Sequence, residues 1–180
     1  VVEGELDIEY KNININFEDK EGVAAIVNKE NEEMSKSPVY DETNEEANYN
    51  HLISAKFAKY EIIHYVDYIT LVVNKYSFDY KTIITTLGSD VYVFDKTTGK
   101  LYNNDELLSK FSVNKDDINE KVKTYLNDKN LVSEENKIDV EKTISNNTKY
   151  NLYVDKLGRL VISILVKAEK SDYNDIIVLS

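Results

Sequence analysis

The stretch FDKTTGKL, residues 94–101, sets a Gly-Lys pair behind two threonines, residue types that could cradle a phosphate or hold a metal. A phosphate loop needs glycine-rich backbone around the phosphates, then lysine, then a hydroxyl for the metal. Here Lys100 is followed by Leu101, and the place five residues before Gly99 is Phe94, so that reading fails. A calcium loop needs oxygen ligands at its first, third and fifth positions, glycine at the sixth and glutamate at the twelfth. Counted from Asp95, Thr97 and Glu106 suit such a loop, but Gly99 and Lys100 occupy the fifth and sixth places. The stretch is therefore read as a turn, with Asp95 bonding the local backbone and Gly99 at positive φ.

Other side chains able to do chemistry are few or undirected. His51 and His64 are the only histidines, too few for a zinc site unless acids complete it, and both fall on expected strands. Gly88-Ser89 lacks the second glycine of a nucleophile elbow. With no cysteine in the chain, disulfides, thiolate metal sites and cysteine nucleophiles are excluded. The 33 acidic residues offer many carboxylate pairs for glycoside cleavage, yet nothing in their order singles one out. No catalytic residue, cofactor or metal ligand is assigned.

Charge narrows the partners. Net charge is −11, which repels phosphate backbones and anionic lipid heads, so nucleic acid is excluded as a partner. A cationic protein would be drawn to such a surface, although acidity also serves solubility. Acids gather at Asp41, Glu42, Glu45 and Glu46, next to Tyr40, and this aromatic and acidic group is the expected contact surface for a basic partner. Residues 160–166 form the longest apolar run, far short of the ~20 residues that span a bilayer, so no membrane insertion by this segment is expected. The opening VVEGELD has neither an initiator Met nor a charged-then-apolar leader, which suggests removal of a signal or anchor.

The elements that must position these groups follow from periodicity. Residues 5–17 alternate as a half-buried strand whose parity slips at Lys11-Asn12, where a bulge would keep one core face. Val23, Ile26, Val27 and Met34 recur at helical spacing within residues 18–34. From 30 to 49 apolar residues thin out around the only proline, Pro38, as in a loop or frayed helix. Residues 51–80 are rich in β-branched and aromatic side chains and read as two long strands turning at Val66-Asp67. A further strand over 82–94 ends at the turn. Then come a short helix in NNDELLSKF and a clearer one, capped by Asn114, with Ile118, Val122, Tyr125 and Leu126 on one face. A weak helical turn follows near 138–144, then a hairpin about residues 156–158 and a last strand over 176–179. Strands in hairpin-like runs with helices between them predict an α+β fold, a mainly antiparallel, bent sheet packed against two or three helices. The expected organisation is one domain over residues 1–180, with about 1–94 and 95–180 as conceivable sub-lobes.

Three stretches resemble the PdaC/SigV-like family of bacterial extracytoplasmic domains, a domain of unknown function that accompanies a peptidoglycan deacetylase and forms the sensing part of the sigma-V anti-sigma factor. IEYKNININFEDKEGVAAIVNKENEEM is similar to its opening strand and helix. YEIIHYVDYITLVVNKYSF and DVYVFDKTTGKLYNNDELLSKF look like its paired strands, its Asp-x-x-Thr-Gly-Lys turn and its short helix. YNLYVDKLGRLVISILVKAEKSDYNDIIVLS looks like its closing hairpin and strand, while SFDYK and Leu101-Tyr102-Asn103-Asn104 depart from the pattern. The resemblance implies a non-enzymatic domain outside the cytoplasmic membrane, held by an anchor beyond this segment. It also implies lysozyme, a cationic protein, or a peptidoglycan fragment as partner, and it transfers no catalytic residues. The rival expectations are a cell-wall carbohydrate hydrolase using a carboxylate pair and a structural lipoprotein domain without a small ligand.

Overall fold

The computed structural model describes residues 51–81 and 83–180, the segment 39–41, and the single positions 26, 29, 30, 32, 33 and 36. The strand expected over 5–17 lies outside the described residues, as does most of the expected helix, whose positions 26, 29, 30, 32 and 33 have helical backbone.

The architecture is α+β and antiparallel, as the periodicity predicts, but its strands are shared between two sheets. The four-stranded sheet runs β1 (Val39–Asp41), β2 (His51–Tyr65), β3 (Tyr68–Asp79), β4 (Ile83–Asp95), every neighbour antiparallel. The short β1 falls within the stretch expected to be loop or frayed helix, where it pairs with the start of β2. The three-stranded sheet runs β5 (Asn151–Val154), β6 (Leu160–Val166), β7 (Tyr173–Val178).

Side-chain alternation explains why β3 is the centre of the larger sheet. Ile69, Leu71 and Val73 project to one face and pack with Ala58, Phe94 and Ile26. Thr70 and Val72 project to the other, which meets the smaller sheet and the helices. Both faces of the strand are thus buried, so YITLVV reads as an apolar run with little alternation. Tyr65 pairs with Tyr68 across the expected turn at Val66-Asp67. Val66 has φ of 41°, a left-handed conformation that a β-branched residue resists, and it is 67% exposed. Glycine suits this first central position of a two-residue hairpin. Val66→Gly is therefore expected to stabilise the fold by about 1 kcal/mol, the usual left-handed penalty. A urea midpoint that falls on this substitution would refute it.

In β4 the pairing skips Leu87, because Lys75 faces Gly88 while Tyr76 faces Thr86. Gly88, at φ 115°, absorbs this bulge, which keeps Asp90, Tyr92 and Phe94 in register with Val73, Leu71 and Ile69.

Helices α1 (Asn104–Lys110), α2 (Ile118–Val132) and α3 (Val140–Asn146) close the main core. Asn103 and Glu106 form a reciprocal capping box at α1, the Asn103 side chain accepting from Glu106 N at 2.9 Å and Asn103 N donating to Glu106 at 3.0 Å. Asn114 caps a 3-10 turn, Lys115–Asp117, that leads directly into α2. The α2 stripe Ile118, Val122 and Leu126 is buried, and Tyr125 is half-buried with its hydroxyl donating to Asp175. The core gathers these with Leu107, Leu152, Leu160, Ile162, Ile164 and their neighbours between the two sheets and the helices. Two hydrogen bonds tie the sheets together, Thr70 Oγ1 to Val154 O at 3.2 Å and Asn151 Nδ2 to Ser89 O at 2.8 Å.

Candidate functional site

The 94–101 stretch folds as the turn chemistry requires. Asp95 Oδ1 accepts from Thr97 N and Thr98 N at 2.9 and 2.8 Å, its Oδ2 accepts from the Tyr102 hydroxyl at 2.9 Å, and Gly99 has φ of 74°. The Thr98 amide and the Tyr102 hydroxyl lower the Asp95 pKa to about 2, because each stabilises the ionised carboxylate. Burial and this same carboxylate push the Tyr102 phenol up to about 12. All the oxygens of Asp95 are thereby engaged by the turn itself.

A charged cluster lies on the face of the larger sheet that carries the helical positions 26, 29, 30, 32 and 33. Cross-strand pairing places Lys75 opposite Gly88, Val73 opposite Asp90 and Leu71 opposite Tyr92, so Lys75, Asp90 and Tyr92 share one face. Glu30 reaches into it from the helical segment and is 2% exposed. Lys75 Nζ stands 2.6 Å from Asp90 Oδ2, 3.1 Å from Glu30 Oε2 and 3.3 Å from Glu33 Oε2, while the Tyr92 hydroxyl donates to Glu30 Oε1 at 2.8 Å. Burial disfavours the ionised Glu30, against the Tyr92 hydroxyl and Lys75, and its pKa is raised. Asp90 moves the other way: burial opposes its charge, but Lys75 and a hydrogen bond with Glu30 outweigh it and hold its pKa down. For Lys75 burial acts downward and is overcome by Asp90 and Glu30, so it remains an ammonium.

Two carboxyls with divergent pKa values invite comparison with a hydrolase pair. Glycoside hydrolysis needs the carboxyl groups about 5–9.5 Å apart with a sugar between them. Glu30 and Asp90 clasp the same Lys75 ammonium, at 3.1 and 2.6 Å, and Glu30 is enclosed, so the pair is not arranged to flank a glycosidic bond. Its arrangement fastens the helical segment to the sheet.

Two adjoining grooves pass the β4 edge and share Asp90, Lys149 and Asn151. The larger, about 540 Å³, runs between Tyr92, the 101–105 segment and the 149–151 segment, with Lys29 and Lys115 also in its lining. The smaller, about 340 Å³, lies between the Leu87-Gly88 bulge and the 146–149 loop. Amides build the walls of both: in the larger Asn104 Nδ2 donates to Tyr150 O at 2.8 Å, and in the smaller Asn147 Nδ2 donates to Leu165 O at 3.0 Å while its Oδ1 accepts from Leu165 N at 3.1 Å. The Tyr150 hydroxyl donates to Asn119 at 2.9 Å, leaving both Tyr102 and Tyr150 as lining residues fixed by hydrogen bonds. Polar side chains held this way can recognise a small polar ligand with little loss of conformational freedom.

Of the residues expected to form a contact surface, Tyr40 and Asp41 lie on β1, paired with Leu52 and His51. Glu42, Glu45 and Glu46 lie outside the described residues. His51 and His64 are on the same strand, thirteen positions apart and hence roughly 40 Å, so one ion cannot take both. None of Lys75, Asp90 and Lys149 was singled out by motif. The glycine inside ITTLGSDVYV was the available signal, since a strand glycine marks a bulge or a close approach. Among the described residues no helix is long and apolar enough to cross a membrane. Compared with known proteins, the chain matches no protein-family model and no curated protein.

Proposed function

We propose that this chain is a non-enzymatic extracytoplasmic binding or sensing domain that recognises a cell-wall-related ligand, with a peptidoglycan fragment occupying the grooves beside β4. The observation that carries the reading is the larger groove: about 540 Å³, lined by Tyr102, Tyr150 and a row of asparagines whose positions are set by their own hydrogen bonds. Amides and tyrosines together suit sugar hydroxyls and the apolar faces of sugar rings. The resemblance of the turn and the closing hairpin to the extracytoplasmic domains supports the same class of ligand.

A cationic protein such as lysozyme is the second reading, favoured by the net charge of −11. Calorimetric titration against lysozyme and against soluble peptidoglycan fragments, at low and moderate salt, separates them. Saturable binding of fragments that persists at moderate salt is expected, with the fragments recovered intact. Binding of lysozyme alone, fading with salt, would replace the first reading with the second. Cleaved fragments would transfer the protein to the hydrolases, and no saturable binding to either would remove both readings.

A further inference from the structure

We infer that the larger groove selects an anionic saccharide, with the ammonium groups of Lys29, Lys115 and Lys149 holding the anion and the amides of Asn103, Asn104 and Asn151 reading the hydroxyls. The inference deepens the groove reading above and rests on it.

Charge supplies the first ground. The chain carries 22 basic against 33 acidic residues, yet the charged side chains lining this groove are Lys29, Lys115 and Lys149 against Asp90 and Asp105. Asp90 is itself matched by Lys75 at 2.6 Å, which leaves the lining with a cationic excess on an acidic molecule. Among the described residues none of the three lysines forms an ion pair, whereas Lys75, Lys100, Lys129 and Lys167 all do. A cavity with walls of low dielectric strengthens the attraction of these ammonium groups for an anion.

The amides supply an independent ground. Asn104 and Asn151 spend Nδ2 on Tyr150 O and Ser89 O, which leaves each with an acceptor Oδ1 that has no partner among the described residues. Asn103 spends Oδ1 on the Glu106 amide, which leaves its Nδ2 donors. Carboxylate and phosphate oxygens only accept, so a bare anion would leave the two Oδ1 atoms unmatched. A hydroxyl both donates and accepts and satisfies either kind of amide atom. Lysines and mixed amides together therefore specify an anion carried on a polyhydroxylated scaffold. Lysine presents a point charge rather than a bidentate fork, so a carboxylate or a phosphate can supply the anion.

The test is a heteronuclear NMR titration of the whole chain at low salt with four probes: a muramic-acid-containing disaccharide, its neutral methyl ester, glycerol phosphate and inorganic phosphate. The expected result is that the free-acid disaccharide shifts amides of residues 101–105 and 149–151 and binds about tenfold tighter than its ester. Lys149→Gln and Lys29→Gln should each erase most of that difference while the spectrum elsewhere stays that of the native fold. Tighter binding of glycerol phosphate than of the disaccharide would keep the site and assign its anion to phosphate. Equal affinity for acid and ester at these residues would overturn the charge assignment and leave the groove reading standing. Inorganic phosphate binding as well as the disaccharide would overturn the role of the amides. Absence of shifts at the groove with every probe would sink this inference and the groove reading together.

Discussion

Lys75→Met should destabilise the fold by about 3 kcal/mol, the lower end of the range for removing one partner of a buried ion pair. Besides the exposed Glu33 at 3.3 Å, two carboxylates depend on this ammonium, Glu30 at 3.1 Å and Asp90 at 2.6 Å, and Glu30 is 2% exposed. Without Lys75 the pair must either carry uncompensated charge or take up a proton. The lower end of the range applies because the Asp90 side chain is 39% exposed and water can reach it. Urea unfolding monitored by circular dichroism gives the number, and a loss under about 1 kcal/mol would show that the cluster is solvated like a surface pair. Removing the charges together, as Lys75→Met with Glu30→Gln and Asp90→Asn, should recover most of the loss, since the penalty belongs to the unpaired charge.

The sign of the pH dependence follows from the two shifts. Glu30 has a raised pKa, so the fold binds its proton more tightly than the unfolded chain does. Its contribution favours folding in acid and is lost as pH rises from the ordinary glutamate value through the raised one. Asp90 has a depressed pKa, and its contribution is present above the ordinary aspartate value and lost as pH falls through the depressed one. Glu30→Gln removes the first effect and weakens the second, but the Asp90 contribution is constant above the ordinary glutamate value, so in that window the variant's stability relative to the native chain should improve with pH. A relative stability that is flat there would mean that Glu30 titrates as in the unfolded chain.

Gly158→Ala should cost about 2–5 kcal/mol, of which about 1–2 comes from placing a side chain at left-handed φ and the rest from overpacking. Gly158 has φ of 77° in the β5–β6 turn, where Asp155 Oδ1 accepts from Leu157 N and Arg159 N at 2.9 Å. A Cβ at this position would run into the ring of Tyr65, with the hydroxyl only 2.6 Å away. Tyr65 is half-buried against the main core at the end of β2, so the tip of the long hairpin rests on the tip of the short one. Thermal unfolding measures the effect. In a Tyr65→Ala background the same substitution should cost only its backbone part, and an unchanged cost there would refute the steric account.

Several features were legible because their physics acts over a few residues. Asp95 to Gly99 forms its turn from bonds between near neighbours, and Asn103 with Glu106 closes the start of α1 in the same way. The α2 stripe shows in the spacing of Ile118, Val122 and Leu126. The division into two sheets was not legible, since β3 and β6 are buried on both faces and their apolar runs carry no alternation to say which sheet covers which face. Charged residues of ordinary type at Lys75, Asp90 and Lys149 gave no hint of a role.

By itself the amino-acid order determined the antiparallel α+β class, the turn and cap chemistry, and the exclusion of cysteine-based sites, because each depends on residue type or short-range spacing. Only the tertiary structure decided that Glu30, Lys75 and Asp90 share one cluster and that Lys29, Tyr102 and Lys149 line one groove. Those groups are distant in the chain, and what joins them is strand register together with the exclusion of water between packed layers, neither of which a local pattern encodes.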